Sequence, residues 1–403
     1  MNETGVALEN VGSWDPSTSD GRSEDWIEHL GTAGAADGLV RTPNGLGFTR
    51  HADVVQLVHN PALKVPVVEQ WLMLEAPDVM IARAKKVILG LDGPTHTRLR
   101  GFVKRVFTPR SVEHLKTSAR AYLETKLDES TGDDIDFLGD LVGKYPGTVV
   151  GGVLGVPESD IPMLSDLADV TVSAQFSFDR SIVDHVVECA LQVDAYLLQL
   201  IQAKRDDGTS DDLLTSLLGA EIDGDRLTDD ELVSLAGSII NAGIDTTRQQ
   251  ACLAMALFAE HPEQWRVLRD DPALAPNAVE EVLRCSPVVP WLTRVCREPV
   301  SFRGLEFAAG DVLLLSVARA NRDPELNPGN PDEFDVRRDT PRHLTFGFGA
   351  HYCLGAALAR LELVELFSVL AERWKTIEIV GDVPRRVPLG PYGVRSLRIA
   401  TPR

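Results

Sequence analysis

The segment from Thr228 to Glu260 constrains the fold of this 403-residue chain more than any other stretch. Apolar residues occupy nearly every face of it, which predicts a helix of about 30 residues, roughly 45 Å long at about 1.5 Å per residue. Thr228 and Glu231 have the spacing of a capping box, and Pro262 supplies a stop signal. Because a helix that is apolar on nearly every face must be buried, the segment predicts a large domain built around it.

The rest of the sequence predicts a mainly α fold with a minor β part. Helical periodicity dominates residues 111–284. Residues 299–317 alternate and break at glycines, which predicts two or three short strands, and residues 320–338 are too rich in Pro, Asn and Asp for regular structure. No linker or repeat interrupts the pattern, so we expect one domain over residues 26–403, preceded by a mobile arm at residues 1–25.

The chain is strongly acidic, with 60 Asp and Glu against 40 Lys and Arg and a formal net charge of −20 at pH 7. This balance argues against broad contact with nucleic acid or an anionic membrane, although it is compatible with a local basic patch. The N-terminal arm is polar, and no apolar run approaches the length that crosses a bilayer. We therefore expect no nucleic-acid partner, no membrane anchor and a cytoplasmic location.

Five cysteines are scattered without a CxxC pair: Cys189, Cys252, Cys285, Cys296 and Cys353. Their number and spacing argue against a disulfide framework and a structural zinc site. Cys353 joins a glycine-punctuated turn to a predicted helix, but Tyr352 stands where a dinucleotide-binding turn needs glycine. The sequence shows no partners for a zinc ligand or a nucleophile there. A buried filler residue and a thiolate ligand to a metal cofactor, favoured by the dipole of the following helix, both stay open.

Polar residues interrupt the long predicted helix at its centre, in residues 242–247, AGIDTT. One interpretation is that the threonines bond back to carbonyls one turn earlier while Asp245 pairs with a nearby cation. The other is that Gly243 leaves room for a ligand, beside which Asp245 and Thr246 handle protons.

Charged pairs at helical spacing occur in two other places. Glu281 and Arg284 stand three residues apart on one helical face, a common and mostly exposed pattern. His96 and Arg100 stand four apart in a basic segment, residues 91–110. That segment is either a solvated face or a source of paired donors for a ligand carboxylate.

Together these motifs resemble those of the cytochrome P-450 family. Residues 346–355 match its haem-binding signature FxxGxxxCxG, in the form FGxGxHxC that is typical of the soluble bacterial branch. Residues 242–247 resemble the oxygen-binding groove motif AGxDTT, and Glu281-x-x-Arg284 resembles the buried ExxR pair. The motifs follow the family's order from about Gly45 to the C-terminus. The resemblance implies an α-rich triangular prism with small sheets, enclosing haem b beside the long central helix.

The resemblance also implies roles for individual residues. Cys353 would be the thiolate ligand of the iron, Asp245 would pass protons inward, and Thr246 would steady bound dioxygen. The residues that would hold or border the haem and its propionates are His96, Arg100, Ala242, Gly243, Arg294, Phe346, Gly347, His351 and Gly355.

Three positions depart from the family's usual pattern. Glu333 stands where some relatives carry the arginine that completes the ExxR pair, so Arg338 is our candidate for that role. Gly93 replaces a common proline, and Cys296 stands where small residues without sulfur are commoner.

The implied activity is insertion of one atom of O2 into a C–H or C=C bond of a lipophilic small molecule. Electrons from NAD(P)H would arrive through a separate ferredoxin or flavodoxin and its reductase, and we expect a monomer. The partner would dock on a basic patch drawn from Lys104, Arg105, Arg110 and Arg360. The pocket candidates are Trp71, Leu72, Phe176, Ile239, Ile240, Val289, Trp291 and Val394.

Three alternatives share the implied fold. They are a peroxide-driven enzyme, an enzyme that rearranges its substrate without external electrons, and a non-catalytic haem or ligand sensor. The intact pair of Asp245 and Thr246 argues against the first two, which often lack it.

Overall fold

A computed structural model describes residues 11–15, 25–34, 37–107, 112–130, 132, 134–175, 179–208, 212–386 and 391–400. The α-helices are α1 (Asp25–Ala33), α2 (His51–Val58), α3 (Val67–Met73), α4 (Asp78–Ala84), α5 (Gly93–Val106), α6 (Lys116–Glu129), α7 (Tyr145–Leu154), α8 (Ile161–Gln175), α9 (Val183–Asp207), α10 (Leu213–Gly219), α11 (Asp229–Glu260), α12 (Pro262–Asp270), α13 (Ala275–Cys285), α14 (Val317–Ala320) and α15 (Ala356–Arg373). The strands are β1 (Leu39–Thr42), β2 (Gly45–Phe48), β3 (Leu63–Lys64), β4 (Asp134–Asp136), β5 (Trp291–Cys296), β6 (Val300–Phe302), β7 (Leu305–Phe307), β8 (Val312–Ser316), β9 (Glu378–Ile379) and β10 (Arg398–Ala400).

The long helix predicted from the sequence is α11, which runs for 32 residues. Its capping box forms as predicted: the Thr228 N–H donates to Glu231 Oε2 at 2.9 Å, and the Glu231 N–H donates to Thr228 Oγ1 at 3.3 Å. Pro262 opens α12 directly afterwards. Within the described residues, no helix combines the length and apolar character needed to cross a membrane.

The described residues cluster in two compact units. The first unit comprises Met1–Pro66, Cys252–Tyr352 and Thr376–Leu397, and the second comprises Val67–Ala251, Cys353–Lys375 and Arg398–Arg403.

The first unit contains a five-stranded sheet with the order β1-β2-β8-β5-β3, in which only the β2–β8 pair is parallel. The three short strands β6, β7 and β8 confirm the prediction for residues 299–317. Phe48, Phe302 and Leu315 belong to the same apolar core as Cys296. Cys296 is buried there, so the cysteine that departs from the usual pattern acts as an apolar core residue.

Residues 11–15 differ from the predicted mobile arm. Trp14 is buried, stacks on Trp291 with 5.7 Å between ring centroids, and lies 5.9 Å from the ring of Trp26. The Trp14 N–H donates to the carbonyl of Arg41 at 2.9 Å. This part of the arm is therefore held by aromatic packing and a backbone bond, and the other predicted arm residues before Asp25 lie outside the described ranges.

The second unit is mainly helical, with one antiparallel ladder between β4 and β10. α8 packs on α9, and α6 packs on α15. Glycines let α7 approach its neighbours closely, since a Cβ at Gly151 would lie 2.9 Å from Ile161 Cδ1 of α8. The second unit also contains α11 as far as Ala251 and the whole of α15. The AGIDTT segment lies in α11, and Cys353 lies three residues before α15 begins.

Candidate active site

One stripe of α11 is accessible although most of the surrounding helix is buried. Ile239, Ala242, Gly243 and Thr246 are exposed or half-buried, whereas Ile244, Asp245 and residues 247–250 are buried. Ala242 and Gly243 lie three and four residues after Ile239, and Thr246 lies four and three residues after them, which is the spacing of a single helical face. This stripe is therefore the part of the central turns of α11 that a ligand can reach.

Thr246 and Asp245 make the contacts of the first interpretation. Thr246 Oγ1 donates to the carbonyl of Ala242 at 2.5 Å, and Asp245 Oδ1 accepts from Arg248 Nη2 at 2.7 Å. The hydroxyl of Thr246 nevertheless lies on the accessible stripe, where it can exchange this bond for one to a ligand. The two interpretations of AGIDTT are thus compatible in one structure.

Gly243 has a packing role that the sequence did not reveal. A Cβ at this position would lie 2.8 Å from Cγ2 of Val150 in α7. The missing side chain therefore lets α7 approach α11, in addition to keeping the accessible stripe open.

Cys353 differs from the other four cysteines. Those four are buried, whereas Cys353 is exposed, and none of the five forms a disulfide. The next residue, Leu354, packs against a core formed by Ile88, Leu99 and Val103, which anchors the turn to α5. Cys353 is thus held just before the N-terminus of α15, with part of the residue at the surface.

Opposing influences act on the Cys353 thiol. Burial raises its pKa, while the N–H of Gly355 and the charges of Arg100 and Arg360 lower it, and the net pKa lies above the ordinary value. A metal ion ligated by Cys353 would favour the thiolate further, because a thiol must lose its proton to act as a ligand. Two guanidinium groups and a backbone donor already favour the thiolate.

His96 and Arg100 lie one turn apart on α5. His96 is buried, and burial lowers the pKa of Arg100 while the nearby Cys353 raises it. Arg98, between them, turns away and forms ion pairs with Asp225 and Glu231. The basic segment is therefore divided: Arg98 forms ion pairs within the protein, whereas Arg100 is near enough to Cys353 for the two groups to shift each other's pKa.

Arg294 of β5, in the first unit, is a buried cation that lacks a counter-charge. Its side chain is 6% exposed, and burial lowers its pKa to about 10. Nη1 donates to the carbonyl of Thr293 at 2.9 Å, and among the described residues no carboxylate lies within ion-pair distance. A buried guanidinium in this state has the chemistry to bind an anionic ligand group.

The loop that precedes Cys353 is also shaped by glycine. Gly347 and Gly349 have φ values of 72° and 68°, which other residues adopt only with strain. The Gly347 N–H donates to the carbonyl of Leu344 at 2.7 Å, and the ring of Phe348 meets His59 edge-on at 5.0 Å. His351 is half-buried at the end of this loop.

Glu281 and Arg284 form a buried pair in α13 and are both 0% exposed. Arg284 Nε lies 2.7 Å from Glu281 Oε2, and Arg338 Nε lies 3.0 Å from Glu281 Oε1. Glu333 contributes its backbone carbonyl to both arginines, at 2.7 and 2.8 Å. Arg338 is therefore the arginine that meets the ExxR pair, and Glu333 supports it through its main chain.

The predicted pocket residues separate into different environments. Ile239 lies on the accessible stripe of α11 and Val289 is half-buried. Ile240 instead faces α7 and α8, beside Val150 and Ser165. Trp71, Trp291 and Val394 are buried in their cores, Leu72 is exposed, and Phe176 lies outside the described residues.

Two contacts beside the AGIDTT segment were not predicted. Arg248 joins Asp245 to Asp169 of α8. Thr247 bonds to the side chain of Glu362 in α15, a carboxyl whose pKa burial raises well above its ordinary value. Residues 245 and 248 have the i, i+3 spacing that could have suggested the first contact, but no local signal points to Asp169 or Glu362.

Comparisons with known proteins assign the family. The Cytochrome P450 family model matches residues 164–384. Luteothin monooxygenase of Streptomyces thioluteus is 34% identical over 391 residues, covering 96% of this chain and 92% of the relative, and cyclomarin C epoxidase CymV of Salinispora arenicola is 34% identical over 87% of this chain and 89% of its own length. The solved structure of the Bacillus subtilis bacillaene polyketide synthase cytochrome P450 PksS superposes with a TM-score of 0.86 at 26% identity, covering 97% of this chain and 100% of that one.

The chain belongs to the cytochrome P450 family, and it is a monooxygenase with the helix-rich fold and small sheets of that family. The family implies haem and the use of O2. Taken unit by unit, the residues have the chemistry that this cofactor needs. In the second unit, an exposed cysteine before a helix N-terminus can ligate iron. In the first unit, the buried guanidinium of Arg294 can bind an anionic group such as a propionate.

Proposed function

We propose that this monooxygenase inserts one oxygen atom into a C–H or C=C bond of a lipophilic small molecule, using electrons from a separate ferredoxin or flavodoxin and its reductase. The observation that carries the proposal is the intact pair of Asp245 and Thr246, with the Thr246 hydroxyl on the accessible stripe of α11. A peroxide-driven enzyme does not need this pair, because peroxide already supplies the protons and electrons.

In this proposal Cys353 ligates the haem iron, which, when bound, supplies the oxidising chemistry. In the second unit, His96 and Arg100 donate hydrogen bonds to a propionate. The haem is bordered there by Ala242, Gly243 and Gly355. Thr246 holds the proton that reaches the site. In the first unit, Arg294 and His351 serve as further propionate donors, with Phe346 and Gly347 shaping the loop. Asp245, one residue before Thr246, exchanges protons with the exterior.

The relatives support a substrate class. Luteothin monooxygenase and cyclomarin C epoxidase carry the names of specialised natural products. We propose that this enzyme also oxidises an apolar intermediate of secondary metabolism, in contact with Ile239. A library of such compounds, screened for displacement of the haem Soret band, identifies candidate ligands, and saturable shifts by apolar compounds support the class.

A basic surface is proposed for the redox partner. Lys104 of α5 is exposed and Arg360 of α15 is half-buried, both in the unit that holds Cys353. The side chain of Arg105 and the whole of Arg110 lie outside the described residues. Reduction that slows as ionic strength rises is the expected result for docking of an acidic partner, and a rate that is indifferent to salt contradicts it.

Reconstitution tests the proposed activity. The purified haem protein is combined with a surrogate ferredoxin, its reductase and a Soret-shifting ligand, and product is measured with NADPH, with hydrogen peroxide alone, and with neither. Oxygenated product that requires NADPH and the ferredoxin supports the proposal. Equal product with peroxide alone contradicts the electron route, and a Soret shift without product under either condition favours a ligand-binding sensor.

A further inference from the structure

Arg248 lies between two carboxylates beside the oxygen-activation residues. Its Nη2 lies 2.7 Å from Asp245 Oδ1 and 2.6 Å from Asp169 Oδ1, and its Nη1 lies 2.8 Å from Asp169 Oδ2. Asp245 and Arg248 belong to α11, while Asp169 belongs to α8. The guanidinium therefore donates to Asp169 through both Nη1 and Nη2, and only Nη2 also donates to Asp245.

Burial increases along this row of charges. The side chain of Asp169 is 39% exposed, that of Arg248 is 10% exposed, and that of Asp245 is 4% exposed. A purely structural site of this kind is costly, because desolvating the charges offsets much of their attraction. An arginine cannot release a proton either, so the row does not conduct protons through Arg248.

The arginine itself is incompletely satisfied. Its Nε is buried and, among the described residues, has no hydrogen-bond partner. A second contact, from Thr171 Oγ1 to Asn241 Oδ1 at 2.8 Å, joins α8 to α11 two turns earlier on the face that carries Arg248. α8 is thus fixed to α11 on both sides of residues 242–246, which sets the position of Asp169 relative to Arg248.

We infer that Arg248 is a positioning residue for Asp245, and that Asp169 restrains Arg248 so that Asp245 stays ionised, with one oxygen bonded to Arg248 and its second oxygen not engaged by it. This inference rests on the proposed function, in which Asp245 exchanges protons with the site. Without Arg248, this deeply buried carboxylate loses the positive charge that Arg248 places 2.7 Å from its Oδ1 and is expected to take up a proton. Without Asp169, both terminal nitrogens of Arg248 turn to Asp245 and engage both of its oxygens.

The test compares Arg248→Gln, Arg248→Lys and Asp169→Asn with the wild-type haem protein. Arg205→Gln is the matched control, because Arg205 of α9 forms an exposed ion pair with Asp229, the first residue of α11. The first readout is independent of turnover: infrared spectra at pH 7, from which the Asp245→Asn spectrum is subtracted, report whether Asp245 is a carboxylate or a protonated acid. We expect a carboxylate in the wild type, the control and Arg248→Lys, and a protonated acid in Arg248→Gln.

The second readout is the ratio of product formed to hydrogen peroxide released in the reconstituted system. Arg248→Gln is expected to lower this ratio about tenfold with an unchanged Soret titration, and Arg248→Lys to restore most of it. Asp169→Asn, which alters only the exposed end, is expected to lower the ratio less and serves if Arg248→Gln does not fold. An ionised Asp245 in Arg248→Gln, or a wild-type ratio in both Arg248→Gln and Asp169→Asn, overturns the inference. If the wild type forms no product, the proposed function fails, and the infrared result still decides the role of Arg248.

Discussion

Two buried acid–arginine pairs with the same i, i+3 spacing have different surroundings in this protein. In the first unit, Glu281 serves two arginines, Arg284 and Arg338, and backbone carbonyls take up their remaining donors. In the second unit, one arginine, Arg248, donates to two acids, and its buried Nε has no hydrogen-bond partner in the described part of the chain. The first arrangement carries a net positive charge and is completely buried at its centre, whereas the second is net negative and reaches the surface.

This difference in surroundings distinguishes a structural pair, Glu281–Arg284, from a pair beside the proposed active site, Asp245–Arg248. Buried charges stabilise a fold when nearly every donor and acceptor is satisfied, as at Arg284. An incompletely satisfied pair beside an accessible helical stripe retains freedom to change partners, as Thr246 and Asp245 must do if they handle protons. Identical spacing in sequence therefore does not imply identical roles.

The largest loss of stability is expected at the Glu281–Arg284 pair. Glu281→Ala leaves two buried guanidinium groups without their carboxylate, which costs about 3–5 kcal/mol in unfolding free energy. We expect little folded, haem-loaded protein, measured as soluble yield and haem content. Arg226→Ala, which breaks an exposed pair with Glu221, is the control and should stay within about 0.5 kcal/mol of wild type in a urea titration. A normally loaded and stable Glu281→Ala protein would falsify the structural role.

Changes at the AGIDTT segment should affect chemistry while the fold persists. Thr246→Ala removes the hydroxyl on the accessible stripe, so we expect wild-type haem content but about 100-fold less product, with NADPH consumption diverted to peroxide. Thr246→Ser keeps the hydroxyl and should retain most of the product. If the alanine variant oxidises substrate at the wild-type rate with equal coupling, Thr246 has no part in proton handling.

A third substitution removes Arg338, the second arginine that contacts Glu281. Arg338→Ala removes one of two cations from Glu281 while Arg284 remains, so we expect a loss of about 1–3 kcal/mol in unfolding free energy. Urea unfolding monitored by tryptophan fluorescence measures it. A loss as large as that of Glu281→Ala would mean that Arg284 alone cannot neutralise Glu281.

Glu362 has a buried carboxyl that forms no ion pair with any described arginine, and its effect should appear as a pH dependence of stability. Because burial raises its pKa in the folded state, the folded protein binds a proton that the unfolded chain releases above its ordinary pKa. Stability should therefore fall as pH rises from about 4.5 towards the folded-state pKa, by at most about 1.4 kcal/mol per pH unit from this residue. Glu362→Gln should flatten this dependence in denaturation curves between pH 5 and 8, and an unchanged slope would contradict the assignment.

Sequence reasoning located the residues whose partners are close in the chain. The capping box of Thr228 and Glu231, the Glu281–Arg284 pair and the helix-terminal Cys353 follow from local spacing. Arg338 required the family pattern in addition, because it reaches Glu281 from the irregular segment beyond β8.

Contacts between distant elements could not be predicted in this way. Asp169 lies 79 residues from Arg248, and the sequence indicates only that some cation should meet Asp245. The choice between Ile239 and Ile240 depends on the rotation of α11, which α7 sets by packing Val150 against Gly243. The polar sequence around Trp14 predicts a mobile arm, because the aromatic partners of Trp14, Trp26 and Trp291, come close to it only in the folded chain.

The ferrous carbon monoxide difference spectrum tests the central claim, that Cys353 is the thiolate ligand of the haem iron. We expect the reduced wild-type protein to show the long-wavelength Soret band produced by an anionic sulfur ligand. Cys353→His should show a band at shorter wavelength. Cys285→Ser, at a buried cysteine elsewhere, should keep the wild-type band. The same Soret position in the wild type and in Cys353→His would contradict the assignment of Cys353.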